Sequence, residues 1–207
     1  MKIYDISRTI SPESALFAGD PPMTIERLMS LSKGDPVNLT RIALSPHTAT
    51  HADAGWHFAE AGLYPDQLPL EHFMGVAQVV TVNRREGGIM PDDVKGGIHL
   101  PIKRLLIHTW CSELPDTTFP DNPPYPSAEL IDWLADLGVV LLGMDTPSVD
   151  DVNSQDLPGH HRLRDRGMVH LENLCLMGVP DGRYELIALP LKIPGVCGSP
   201  VRAVLRG

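Results

Sequence analysis

Prolines and glycines interrupt this chain along its whole length: 20 prolines and 18 glycines, 38 of 207 residues, with no low-complexity block. Proline removes a backbone donor and fixes φ, and glycine loosens the backbone, so this spacing punctuates short elements. Strand candidates are Val76–Val82, Lys103–Trp110, Val139–Asp145, Glu185–Leu191 and Val201–Leu205, each rich in Val, Ile or Leu. The clearest helix is Ala128–Leu137, with Leu130, Leu134 and Leu137 on one face, Ser127 as its cap and Gly138 at its end. Short helices are expected at Pro91–Lys95 and His160–Arg166. A helix followed at once by Val139-Val140-Leu141-Leu142 reads as a strand-helix-strand crossover from Leu105 to Met144, and hence as a parallel pair. The expected fold class is mixed α/β, strand-rich with few helices. No linker or composition shift divides residues 1–207, so one domain is expected.

Charge narrows the partners. Seventeen Lys and Arg against 26 Asp and Glu give a net charge of −9, which disfavours nucleic acid and anionic membrane. The longest apolar runs, such as Val139–Met144, fall far short of the roughly 20 residues of a membrane span. Met1-Lys2-Ile3-Tyr4-Asp5 does not open like a secretory signal, so a cytoplasmic location is expected. Cys111, Cys175 and Cys197 are an odd count without a C-x-x-C pair, so they read as buried free thiols and not as a disulfide framework or thiolate zinc site.

The nine histidines carry the chemistry. His47, His51 and His57 fall in one 11-residue window, where random placement would put roughly half of one. Asp53 lies among them, at offsets 0, 4, 6 and 10 with the histidines. On a continuous helix Asp53 would stand about 240° round from His47, and on a flat strand His47 and His51 would be about 13 Å apart. Ligands to one ion lie about 2.0 to 2.2 Å from it, so the segment must bend to serve as a site, and Gly55 is a residue suited to bending. Imidazoles with a carboxylate suit Zn²⁺, Mn²⁺ or Fe²⁺ in an open, catalytic site. A second polar set is His160 in Leu157-Pro158-Gly159-His160-His161, with Glu172 twelve residues on among Val169, Leu171 and Leu174. An inward Glu172 needs a partner, and a metal would be one. His161 and His170 read as surface or outer residues, and His72, His99 and His108 have no evident partner.

The string His47-Thr-Ala-Thr-His51-Ala-Asp53-Ala-Gly-Trp-His57 resembles the H-x-G-T-H-x-D-x-P-x-H signature of the cyclase-like family of metal-dependent hydrolases. Flanking strings, among them Phe17-Ala-Gly-Asp20, Gly143-Met-Asp-Thr-Pro-Ser-Val-Asp150 and Ser199-Pro-Val-Arg-Ala-Val-Leu205, are similar to its kynurenine formamidase (arylformamidase) branch. The resemblance implies a barrel-like α/β homodimer carrying two divalent ions, usually zinc, with manganese the alternative. It implies that His47, His51 and Asp53 hold the first ion. Asp53 would bridge to a second ion held by His160, and Glu172 would bridge both. It makes His57 the proton acceptor and donor, and Phe17 an aromatic substrate contact. The implied reaction is hydrolysis of N-formyl-L-kynurenine to L-kynurenine and formate. Alternatives are another amide or lactam hydrolase of the family, such as an isatin hydrolase, and a noncatalytic metal- or ligand-binding protein on the same scaffold. A Ser-His-Asp hydrolase is disfavoured by the lack of a G-x-S-x-G string. Two signature positions depart, Ala49 for Gly and Gly55 for Pro, which bears on loop rigidity.

Overall fold

The computed structural model describes all 207 residues. In chain order the first strands are β1 (Ile3–Asp5), β2 (Thr24–Met29), β3 (Leu39–Ala43), β4 (His51–Asp53), β5 (Met74–Thr81), β6 (Gly88–Ile89) and β7 (Arg104–His108). There follow β8 (Tyr125–Pro126), β9 (Leu141–Met144), β10 (Val169–Glu172), β11 (Gly182–Ile187), β12 (Gly198–Pro200) and β13 (Val204–Arg206). Three short helices accompany them: α1 (Pro91–Val94), α2 (Ala128–Asp136) and α3 (Pro158–Asp165).

Nine strands form one sheet in the order β1-β13-β11-β5-β7-β9-β10-β4-β12. The β7-β9 pair is parallel, as the crossover through α2 predicts, and so are β5-β7 and β9-β10, while the other pairs are antiparallel. The sheet must curl. Laid flat, β13 and β12 would stand about 34 Å apart, seven strand spacings of about 4.8 Å. Only Val201, Arg202 and Ala203 separate them in sequence, and those links reach about 14 Å at most. The Ile6 carbonyl accepts from Cys175 N (2.9 Å) and so ties the β1 side to the end of β10. The expected mixed, strand-rich, barrel-like α/β fold is the one observed, with the sheet curled into a half-barrel.

Strand alternation builds a core on each face. Leu106, Leu141, Leu171, Leu186 and Leu205 pack into one cluster, while Leu105, Ile107, Leu142 and Met144 join Leu130, Ile131 and Leu134 of α2 and Leu163 of α3 in the other. The Ser127 hydroxyl accepts from Leu130 N (3.0 Å), a cap worth about 1 kcal/mol. Gly138, at φ +83, follows the helix where the chain turns back into the sheet.

The expected strand at Val201–Leu205 is displaced. Gly198–Pro200 pairs with β4 and Val204–Arg206 with β1 and β11, and the residues between them cross from one sheet edge to the other. That crossing leaves no trace in local hydrophobicity. Short strands β4 and β10 were not foreseen, because their polar residues face the site, and neither was the β2-β3 hairpin. This hairpin stands apart from the main sheet and leaves Ile25, Leu28, Leu39 and Ile42 about half exposed.

Candidate metal centre

The site is set by the register of β4 against β10. Ala52 pairs with Leu171 in the first core cluster, so the neighbouring pair His51 and Glu172 points together to the opposite, helix-bearing face. Asp53 and His170 lie two residues along their strands from this pair and so share its face. Helix α3 crosses above and lowers His160 into the same space, and all five of these side chains are almost fully buried. His47 reaches them from a tight turn before β4, where Ala49 has φ +58. The bend required by the histidine spacing is therefore present, but it falls at Ala49. Gly55 instead opens the single helical turn Gly55–His57 that presents His57.

The carboxylates divide the histidines into two groups. Asp53 Oδ1 lies 2.8 Å from His47 Nδ1 and 3.1 Å from His51 Nε2. Asp53 Oδ2 faces the other way, 3.2 Å from His160 Nε2 and 3.4 Å from His170 Nε2. Glu172 repeats the split, with Oε2 3.3 Å from His51 Nε2 and Oε1 3.6 Å from His160 Nε2 and 3.7 Å from His170 Nε2. Yet His51 Nε2, Asp53 Oδ1 and His170 Nε2 have no aligned hydrogen-bond partner, although they are buried. Orphaned buried polar atoms are costly, and here they converge on shared space. Imidazole and carboxylate donors so placed fit a divalent cation.

Electrostatics agree. Burial disfavours the imidazolium forms of His47, His51 and His160, but the carboxylates beside them outweigh it and raise these groups to about 9, about 10 and about 10. Burial likewise works against the Asp53 carboxylate, and the surrounding histidines overcome it, holding its pKa well below 3.8. His57, the least buried member with a side chain 35% exposed, is lowered from 6.5 chiefly by burial, so it is neutral at neutral pH. A pH effect follows for the metal-free protein. Its folded state keeps protons on His47, His51 and His160 that the unfolded chain releases above 6.5. That stabilisation is full below 6.5 and is lost as pH rises through about 9 to 10. Thermal melts of chelator-treated protein should therefore fall in Tm across this window. Metal-loaded protein, whose ligands are already deprotonated, should lack that decline.

Each of three histidines is held from behind. His51 Nδ1 donates to Ala49 O (2.8 Å), and His160 Nδ1 donates to Asp150 Oδ2 (2.7 Å). His47 Nε2 lies 3.1 Å from Cys197 Sγ. Asp150 also accepts from Gly159 N (2.6 Å) and His160 N (3.1 Å), fastening the start of α3. Within the Gly143–Asp150 string, Asp150 thus orients a site histidine. Asp145 instead accepts four hydrogen bonds from the backbone and hydroxyls of Thr109 and Ser112.

Two expectations are corrected. His170 is not a surface residue but lies buried beside the Asp53 and Glu172 carboxylates; β-alternation from Glu172, two positions on, would have placed it inside. Among the cysteines only Cys111 is buried, and Cys197 touches His47, a contact that joins positions 150 apart in sequence.

Ala49 occupies a backbone region that costs an L-residue about 1 to 2 kcal/mol. Ala49→Gly should therefore stabilise the fold by up to about 1 kcal/mol, offset in part by greater unfolded-chain entropy, as measured by chemical denaturation. A mutant less stable than the parent would show that the turn carries no strain.

A cavity of about 470 Å³ opens onto the centre, within the range of small-molecule sites. Phe17, Asp20, His57, Asp151 and Asn153 line it beside the buried cluster. Phe17 is braced edge-on by Phe119, with ring centroids 4.9 Å apart. Trp56 packs on Tyr64 and Phe58 on His160, so neither forms this wall.

Residues 4–151 match the family model described as "Putative cyclase". The chain belongs to the cyclase family. It is 44% identical to the kynurenine formamidase of Salinibacter ruber over 207 residues, covering 100% of this chain and 98% of that protein. Its fold is similar to a solved structure from Bacillus stearothermophilus described as a "predicted metal-dependent hydrolase", with TM-score 0.81, 26% identity and coverage of 99% and 97% of the two chains. Isatin hydrolase A from Labrenzia aggregata shares the fold, with TM-score 0.85, 24% identity and coverage of 99% and 93%. No helix of this cyclase-family chain is long and apolar enough to cross a membrane.

Proposed function

We propose that this protein is a metal-dependent arylformamidase that hydrolyses N-formyl-L-kynurenine to L-kynurenine and formate. The single observation that carries the reading is the two-sided carboxylate cluster at the foot of a cavity with Phe17 in its wall, in a chain 44% identical to a kynurenine formamidase over its full length. His47, His51 and Asp53 would hold one divalent ion and His160 a second. Asp53 and Glu172 would serve both, and His170 Nε2 lies 3.4 Å from Asp53 Oδ2 on the His160 side. Zinc suits this nitrogen and oxygen set, with manganese the alternative. Bound ions of this kind acidify water and polarise a carbonyl oxygen.

The chain's own groups do the rest. His57 Nε2 is neutral and open to the cavity, so it takes up a proton and returns it to the departing aniline nitrogen. Phe17, held by Phe119, offers a ring face to the aryl group. Asp20 and Asp151, without a Lys or Arg on the same wall, suit the substrate's α-ammonium. The reading includes a single domain across residues 1–207, a cytoplasmic enzyme, and a homodimer in which the exposed apolar hairpin β2-β3 is covered by a second copy. The deciding experiment is metal analysis and an N-formylkynurenine assay on one preparation, with isatin as comparison. Two ions per chain with preferred turnover of the formamide is expected; a fully metallated protein inactive on it, or preferring isatin, overturns the reading.

A further inference from the structure

We propose that Cys197, His47 and His57 form an alternative cation site at the rim of the cavity, one that shares His47 with the carboxylate centre. It would take a soft, thiophilic divalent ion such as Cd²⁺ and silence the protein by occupying His57. One donor atom from each of these side chains lies within 4.8 Å of the others, and Cys197 Sγ is already 3.1 Å from His47 Nε2. An ion about 2.0 to 2.3 Å from each donor needs them no more than about 4.6 Å apart, so small side-chain movements complete the shell. The approach is permitted by Gly198, where an added Cβ would stand 3.0 Å from His47 Cε1.

This trio is chemically distinct from the carboxylate centre. It has two imidazoles, one thiol and no carboxylate, a softer set than the imidazole and carboxylate donors of the other. It uses the far edge of the His47 ring, since Nδ1 faces Asp53 while Nε2 faces the sulfur. It is also open: His57 and Cys197 are partly exposed, whereas Asp53, His160, His170 and Glu172 are buried. Binding is a ligand exchange without redox change. The thiol loses its proton to solvent, the sulfur lone pair goes to the ion, and a coordinated water leaves. A neutral imidazole has one lone pair, so an ion at Nε2 competes with one at Nδ1 for the same ring.

The site rests on geometry alone, and only its inhibitory consequence rests on the formamidase reading. Cd²⁺ is titrated into the zinc-loaded full chain while the sulfur-to-metal ultraviolet band and formamide hydrolysis are followed. The expected result is a band that saturates at one ion per chain as activity falls. Cys197→Ser should abolish the band and shift half-inhibition upward by roughly 10- to 100-fold, while Cys175→Ser keeps both. Absence of the band in the parent protein, or its persistence in Cys197→Ser, overturns the site. If Cys197→Ser does not fold, cadmium NMR of the parent protein decides, because a thiolate-shifted resonance supports the site and nitrogen or oxygen ligation alone overturns it. A protein that shows the band but no formamidase activity keeps the site and loses the formamidase reading.

Discussion

Asp53→Ala is expected to empty the centre of metal and abolish hydrolysis together. No other side chain meets so many of the site's groups: its oxygens lie 2.8 to 3.4 Å from His47, His51, His160 and His170. Losing a partner behind a ligand costs roughly 10- to 100-fold in affinity, and losing a shared ligand should cost more. The metal-free protein should change as well. Without this carboxylate the titrations of His47, His51 and His160 should fall from about 9, about 10 and about 10, most for His47, because Glu172 still supports His51, and Asp150 with Glu172 still supports His160. Because these histidines can shed protons, the stability loss should fall below the about 3 to 5 kcal/mol typical of a broken buried ion pair. Metal content after dialysis, histidine NMR titration and turnover read the three effects. Wild-type metal content in Asp53→Ala would remove this residue from the ligand set.

His57→Ala should separate what Asp53→Ala joins. Its Nε2 is 4.0 Å from Asp53 Oδ2, at the edge of the cluster and partly exposed, so metal content should be unchanged. Turnover should fall by about 10² to 10⁴, the usual contribution of a positioned proton-transfer group. The pH profile carries the sign. Burial holds His57 below 6.5, and only its neutral form accepts a proton, so activity should fall on the acid side at a pH below that ordinary value. The variant should lose this acid limb. Equal metal with equal kcat would refute the role.

How much of the site was legible depended on whether its residues were linked by short-range pattern. The window His47–His57 could be recognised because its ligands crowd one segment, and geometry alone required it to bend. Helix α2 was readable from its Ser127 cap and leucine spacing. His170 was missed although its spacing from Glu172 is two, because a four-residue strand among apolar neighbours reads equally well as core. Asp150 and Cys197 could not be assigned, since their partners are fixed only when α3 lands on β10 and β12 closes beside β4. The strand at Val201–Leu205 was misplaced for the same reason: curling of the whole sheet divides it between two edges.

By itself the sequence determined the mixed α/β class and most of the imidazoles and carboxylates that meet at the candidate metal centre, because residue type and local period carry that information. Tertiary structure alone decided that Asp53 and Glu172 each face two histidine groups, that Phe17 and not Trp56 lines the cavity, and that a thiol stands behind His47. Those facts depend on strand register and sheet closure between residues far apart in the chain. Such pairings are set by the packing of both cores at once, which no single segment encodes.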